Sequence, residues 1–339
     1  MEILPRTLGT RPRLACEVRA EGVVAARAED ASAVLEAVAR VVLADSVVIP
    51  HVHVGDAEGN GGGSAVIGRA ALVGAVRTAL EQVSLRGRDV TLVVPDAAAR
   101  VLLLDFDELP AKAAEALPVV RFRLKKLLPF DSDDAAVSYQ VMSSARGVQV
   151  MAVAMPRALL TEYESVVREA GFEPGAVLPS TLAALAGLGE GERPTLVVNA
   201  SREGVTTAIV KGGLLLLHRT VDLGADARVA ARTAELSGED LPVDNSIAAI
   251  AARLAAAAPQ TPAKAEFPTN NEVAQAVSVA AAYFEDTLET APAVVVAAGT
   301  LGADALTVVL DQAQVGPVAV QEIVSQQMLG IGAGSAGTP

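Results

Sequence analysis

Displaced by 182 positions, the chain falls on itself. Cys16-Glu17-Val18-Arg19-Ala20-Glu21-Gly22-Val23 lands on Val198-Asn199-Ala200-Ser201-Arg202-Glu203-Gly204-Val205. Both stretches read as two short β-prone runs joined by a tight turn, with Glu-Gly-Val at the same point of each. Three shared residues are weak by themselves, because hairpin turns favour such residues anyway. The weight comes from the surrounding chain. Each hairpin leads into a helix-rich stretch and then a buried strand, Val90–Val94 after the first and Ala293–Ala298 after the second. That order predicts an α/β chain made of two similar halves.

Hydrophobic spacing fills in the rest. Ser32–Leu43 carries Val34, Leu35, Val38, Val41 and Val42 at helical spacing, which predicts a helix. Ser46–Val54 is β-prone, Asp56–Ser64 is a Gly-rich loop, and Ala70–Val83 is a second helix. Val101–Phe106 opens a compact β-α-β-β-α unit. Its first helix, Ala111–Leu128, holds Pro118, which predicts a break or kink. Strands Val137–Met142 and Val148–Ala154 come next, then helix Leu159–Ala170 with Gly171 at its C-cap. Strands Leu196–Ala200, Val205–Lys211 and Leu214–Thr220 open the second half, with helices near Ala225–Ser237 and Ser246–Ala257. A Pro/Thr-rich loop, Pro259–Asn271, precedes helices Asn271–Glu289 and Ala303–Ala313. The Gly/Ala/Ser tail, 331–339, is predicted disordered.

Charge narrows the partners. With 27 Lys+Arg against 40 Asp+Glu the net charge is −13, which argues against a nucleic-acid partner. Cys16 is the only cysteine, so an internal disulfide and a cysteine metal cluster are both excluded, and a reducing cytoplasm fits. No signal peptide or run of about 18 apolar residues is found. The expectation is a cytoplasmic protein that reaches a membrane only through a partner.

A family resemblance rests on specific residues. These are Val90-Thr91-Leu92-Val93-Val94-Pro95, then Leu109-Pro110, Leu128-Pro129-Phe130-Asp131, Tyr139, Val150–Ala154 and Ala170-Gly171-Phe172-Glu173-Pro174. Over about residues 14–325 the chain resembles the PilM group of type IV pilus assembly proteins, relatives of the cell-division protein FtsA. The resemblance implies an actin-like (ribonuclease H-like) pair of α/β halves with an inserted α+β subdomain. Residues 1–95 and 173–192 would form the first actin-like subdomain, 96–172 the insert, and 193–330 the second half.

The same resemblance implies a site for ATP and Mg²⁺, built from two hairpin turns that wrap phosphates with backbone N–H groups. An acidic residue in each hairpin would hold the metal or its waters. The family pattern there is Asp-x-Gly. This chain has Glu17-Val18-Arg19 and Asn199-Ala200-Ser201 instead. Neither copy keeps the glycine, and the second loses its charge. Gly204 and Thr206 lie just past the second turn, and Ala298-Gly299-Thr300 stands where the family has a Gly-Gly pair. Glu17, Asn199, Ser201, Gly204, Thr206, Gly299 and Thr300 are therefore candidate remnants of a nucleotide site. Each also has an ordinary reading as a strand or turn residue. The departures imply weakened or lost ATP binding, with no general base for hydrolysis and no resident cofactor or metal assigned.

Other motifs carry less. His51 and His53 share a strand face but have no third ligand nearby, and His218 is remote. Gly61-Gly62-Gly63 lacks the Lys-Ser/Thr of a phosphate loop. Arg121, Arg123, Lys125 and Lys126 form a basic cluster that is a solvated helix face or a docking point for an acidic partner or lipid headgroups.

The functional expectation is a non-enzymatic scaffold of the pilus inner-membrane assembly complex. It would hold the N-terminal tail of a PilN-like membrane protein in a groove between the insert and the first subdomain, with a second copy of the chain as the other candidate partner. The alternatives are an actin-like ATP switch or ATPase, and a type II secretion cytoplasmic component of the same fold. A sugar or acetate kinase of the same superfamily is disfavoured, because the sequence offers no recognisable catalytic Asp and no phosphate-loop glycine.

Overall fold

The computed structural model describes residues 12–29, 34–44, 47–48, 66, 68–144, 147–188, 191, 193–201, 204–222, 270–289, 292, 294–312 and 319–324. The expected helices near Ala225–Ser237 and Ser246–Ala257 lie outside them, as do His51, His53, the Gly61–Gly63 run and the tail.

The first sheet takes β1 (Leu14–Arg19), β2 (Gly22–Ala28), β3 (Leu35–Val42), β4 (Asp89–Val94) and β8 (Glu173–Pro179), in the order β3-β2-β1-β4-β8. The second takes β9 (Thr195–Ser201), β10 (Gly204–Lys211), β11 (Leu214–Asp222), β12 (Val294–Gly299) and β13 (Ala319–Glu322), in the order β11-β10-β9-β12-β13. The two orders are the same. In each sheet the opening hairpin is antiparallel and its first strand runs parallel to a later strand, β4 or β12. Arg19 pairs with Gly22 in the first hairpin and Ser201 with Gly204 in the second, so the repeat holds to the residue.

One face of the first sheet is covered by α1 (Arg69–Val83) and α3 (Arg157–Glu169). Leu72, Val76 and Leu80 meet Tyr163, Val166 and Val167 over Cys16, Val18 and Leu92. Cys16 is fully buried, and burial first, then the neighbouring Glu17 charge, pushes its thiol up to about 12. In the second half α5 (Asn270–Leu288) and α6 (Ala303–Gln312) cover the sheet in the same way, with Phe284, Val277 and Leu306 at the centre.

A three-stranded antiparallel sheet stands between the halves. It has the order β5-β7-β6, from β5 (Arg100–Phe106), β6 (Ala135–Ser144) and β7 (Gly147–Pro156). One face packs on α2 (Ala113–Leu124) through Leu104, Val150 and Ala152 against Val120 and Leu124. The other face, Val101, Leu103, Met142 and Met151, packs against Val197, Ala208 and Leu215 of the second half. The subdomain thus braces one half against the other.

Two expectations need correction. Ser32–Leu43 is not a helix: residues 35–42 form edge strand β3, with Val41 paired to Val23 and Ala39 to Ala25. Its apolar residues fit both periods, and pairing with β2 decides for the strand, whose Val-rich composition suits it. Val38 and Val42 consequently face outward, 54% and 80% exposed. Pro118 does not break α2, which runs through it. Ala114, whose carbonyl loses its N–H partner there, is exposed together with Pro118, so water can take up the orphan group. Glu173–Pro179, for which the hydrophobic spacing predicts no element, is strand β8, paired parallel to β4. It leads into α4 (Ser180–Leu185). Gly171 does end α3 with φ at +91°.

Candidate functional site

Parallel strands of open α/β sheets present their carboxyl ends to one side, and polar residues gather there. Here the carboxyl ends of β1, β4, β8, β9 and β12 converge on one cleft between the two sheets. Glu17, Arg19, Asp96, Ser180, Asn199 and Gly299 line it, together with Ser201, Gly204, Thr206 and Thr220. Six of the seven sequence candidates therefore meet in one place. Thr300 lies just behind, its N–H donating to the Ala200 carbonyl at 2.9 Å.

The cleft is held shut by the chain's own polar groups. Asn199 is 6% exposed, and its Nδ2 lies 3.1 Å from Asp96 Oδ2, 2.9 Å from Thr181 Oγ1 and 3.2 Å from Ser180 Oγ. Two N–H groups serve these three acceptors, so one bond is shared. Thr181, fully buried, donates its backbone N–H to Asp96 Oδ1 at 2.9 Å and its hydroxyl to Asp96 Oδ2 at 2.5 Å. Ser180 Oγ donates to Glu17 Oε1 at 2.8 Å, and Arg19 pairs with Glu17 Oε2 at 2.5 Å. Glu17 and Asn199 occupy equivalent places in the two hairpins, so this chain of bonds ties one hairpin to the other. Deeper in, Thr206 Oγ1 lies 3.0 Å from Thr220 Oγ1.

What remains open is small. The free cavity is about 30 Å³, room for only a few waters, against roughly 300–1,000 Å³ for ordinary small-molecule sites. Glu17 is taken up by Arg19 and Ser180 rather than free to hold a metal's waters. No cluster of three or more His, Cys, Asp or Glu is spaced for a metal among the described residues. Closed in this way, the cleft has no room for a Mg²⁺–nucleotide.

Sequence reasoning misses Asp96, Ser180 and Thr181. Asp96 follows the strand-ending Pro95, and Ser180-Thr181 follow Pro179. A polar residue after a proline that ends a parallel strand is the signal that could have found them.

His218 stands on β11 opposite Ala208, with its Nε2 buried and without a hydrogen-bond partner. Burial pushes its pKa below the ordinary histidine value, with the Asp96 charge opposing. The folded protein therefore refuses a proton that the unfolded chain binds at about pH 6.5 and below. Stability is expected to fall as pH drops through that value, and His218→Leu should flatten the fall between pH 7 and pH 5 in denaturant titrations. An unchanged slope would contradict this.

Compared with known families and with curated proteins, the chain matches none. Solved structures do match. A chain of the PilM–PilN type IV pilus biogenesis complex superposes with a TM-score of 0.65 at 18% identity, over 92% of this chain and 88% of that one. This chain has the actin-like fold, in the form found in that complex. The cytoplasmic domain of EpsL, from the type II secretion system of Vibrio cholerae, gives a TM-score of 0.40 at 14% identity, over 64% of this chain and 74% of that one. The ethanolamine utilization protein EutJ from Carboxydothermus hydrogenoformans gives 0.45 at 12% identity, over 95% and 89%. Among the described residues no helix is long and apolar enough to cross a membrane.

Proposed function

We propose that this chain is a scaffold of a type IV pilus inner-membrane assembly complex, with its nucleotide cleft converted into an internal clamp. The observation that carries the reading is the set of bonds joining Asp96, Thr181, Asn199, Ser180 and Glu17 where the two hairpins meet. A cleft closed by its own side chains keeps the halves in a fixed relation without ligand. The likeness to a PilM–PilN complex supports the partner: the N-terminal tail of a PilN-like membrane protein. In this reading residues 1–95 with 173–192 are the first subdomain, 96–172 the insert, and 193–330 the second half. The tail lies between the insert and the first subdomain, where α3 already leans on the first core. The protein is then cytoplasmic and peripheral to the inner membrane through that tail.

The test is calorimetric titration of the full chain with a synthetic N-terminal tail of a PilN-like protein from the same source, beside a scrambled peptide. Micromolar binding of the tail alone is expected. Equal binding of both peptides, or none at millimolar peptide, contradicts the reading.

A second reading, an actin-like ATP switch, is favoured by one feature. Glu17, Ser201, Gly204, Thr206 and Gly299 all still line the cleft. It requires the clamp to open before nucleotide can enter.

A further inference from the structure

Helix α2 is apolar on two sides. Ala116, Val120 and Leu124 are buried against the three-stranded sheet, as a core-facing stripe should be. Val119 and Phe122 point the other way, 38% and 74% exposed, and with Arg123 they share one face at i, i+3 and i+4 spacing. A solvated face would carry polar residues at both positions.

That second face forms one wall of a groove of about 720 Å³. Phe106 at the end of β5 and Val148 at the start of β7 extend its apolar lining. The facing rim is acidic, with Asp105, Asp107 and Glu108 exposed. Asp105 accepts a bond from Gln149 Nε2 at 3.4 Å. Asp107, Glu108 and Arg123 make no ion pair among the described residues, and among the described residues of the lining three carboxylates stand against one guanidinium.

We infer that this groove docks a partner segment that is both cationic and apolar, with Lys or Arg side chains against Asp107 and Glu108 and an aliphatic anchor on Phe122 and Val119. Net negative charge selects the sign of the occupant, and the exposed Phe122 provides the contact that charge alone lacks. The volume suits a few side chains of an extended segment rather than a single ion. The groove lies at the end of β5 remote from Asp96, and it stands independently of the tail reading.

The test uses fluorescence anisotropy with a labelled six-residue peptide of alternating Lys and Leu. Controls carry Glu in place of Lys, or Ser in place of Leu. The Lys–Leu peptide is expected to bind the full chain and both controls to fail. Binding should weaken at least tenfold in the doubly substituted Asp107→Asn, Glu108→Gln protein and again in Phe122→Ser. These positions are exposed, and unchanged circular dichroism and melting would verify the fold. Equal binding by wild type and variants, or binding of the Glu–Leu control, overturns the inference. So does displacement of the probe by the pilus-protein tail, which would merge the two surfaces. Self-association of the wild type that Phe122→Ser abolishes would assign the groove to a second copy of this chain and also overturn it.

Discussion

Gly299→Ala is expected to destabilise the protein by about 3 kcal/mol or more, from left-handed backbone strain plus a steric clash. The residue ends β12 with φ at +83°. A Cβ built there would collide with the Ala200 carbonyl oxygen and sit 2.5 Å from Asn199 Oδ1. The carbonyl cannot retreat, because it accepts the Thr300 N–H and lies on β9, the strand paired with β12. The Asn199 amide cannot retreat either without releasing Asp96 and Thr181. Gly302→Ala is the control. Its φ is +78°, but its nearest neighbour is Glu322 Oε1 at 3.4 Å, the end of a flexible side chain. It should cost only the backbone term, on the order of 1–2 kcal/mol. Denaturant titration of both variants reads the difference, and equal losses would mean that the close approach of β9 and β12 carries no energy.

Asp96→Ala is the second large effect. The carboxylate accepts two bonds from Thr181 and one from Asn199. Without it the buried Thr181 N–H loses its partner, and Asn199 keeps only neutral hydroxyls. Hydrogen bonds to a charged group contribute roughly 1.5–3 kcal/mol, and an orphaned buried donor costs about 1–3 kcal/mol, so a loss of about 3 kcal/mol is expected. The effect should be local in its signature. Hydrogen exchange at the Thr181 amide should accelerate far more than exchange in the core strands β1 and β9. A variant within about 0.5 kcal/mol of wild type, the usual range for neutral surface changes, would show that the clamp does not hold the cleft.

Much of this architecture is legible in the sequence, for a physical reason. The two hairpins repeat because each half needs the same entry into the same sheet order, and register fixes Glu17 and Asn199 at equivalent points. Residues 35–42 mislead because helical and strand periods both fit so short a run of Val and Ala, and only the partner strand chooses. The clamp is half legible. Glu17 and Asn199 stand out as departures from a pattern, whereas Asp96 is one carboxylate among many until the fold brings it to Thr181, 85 residues away, and to Asn199, 103 away. Such long-range pairings leave no local periodicity to read. The distal groove is hidden differently: Phe122 sits inside a run that reads as a basic helix face, and only its exposure against the burial of Val120 and Leu124 separates the two sides of α2.

The central claim is that the interlobe cleft works as a clamp and not as a nucleotide site. Titration with a fluorescent ATP analogue, with and without Mg²⁺, addresses it most directly, using wild type beside the doubly substituted Glu17→Ala, Asn199→Ala protein. A clamp predicts no Mg²⁺-dependent binding by either protein up to millimolar nucleotide. Tight, Mg²⁺-dependent binding by wild type that the double substitution removes would contradict it, and would make the cleft a working nucleotide switch.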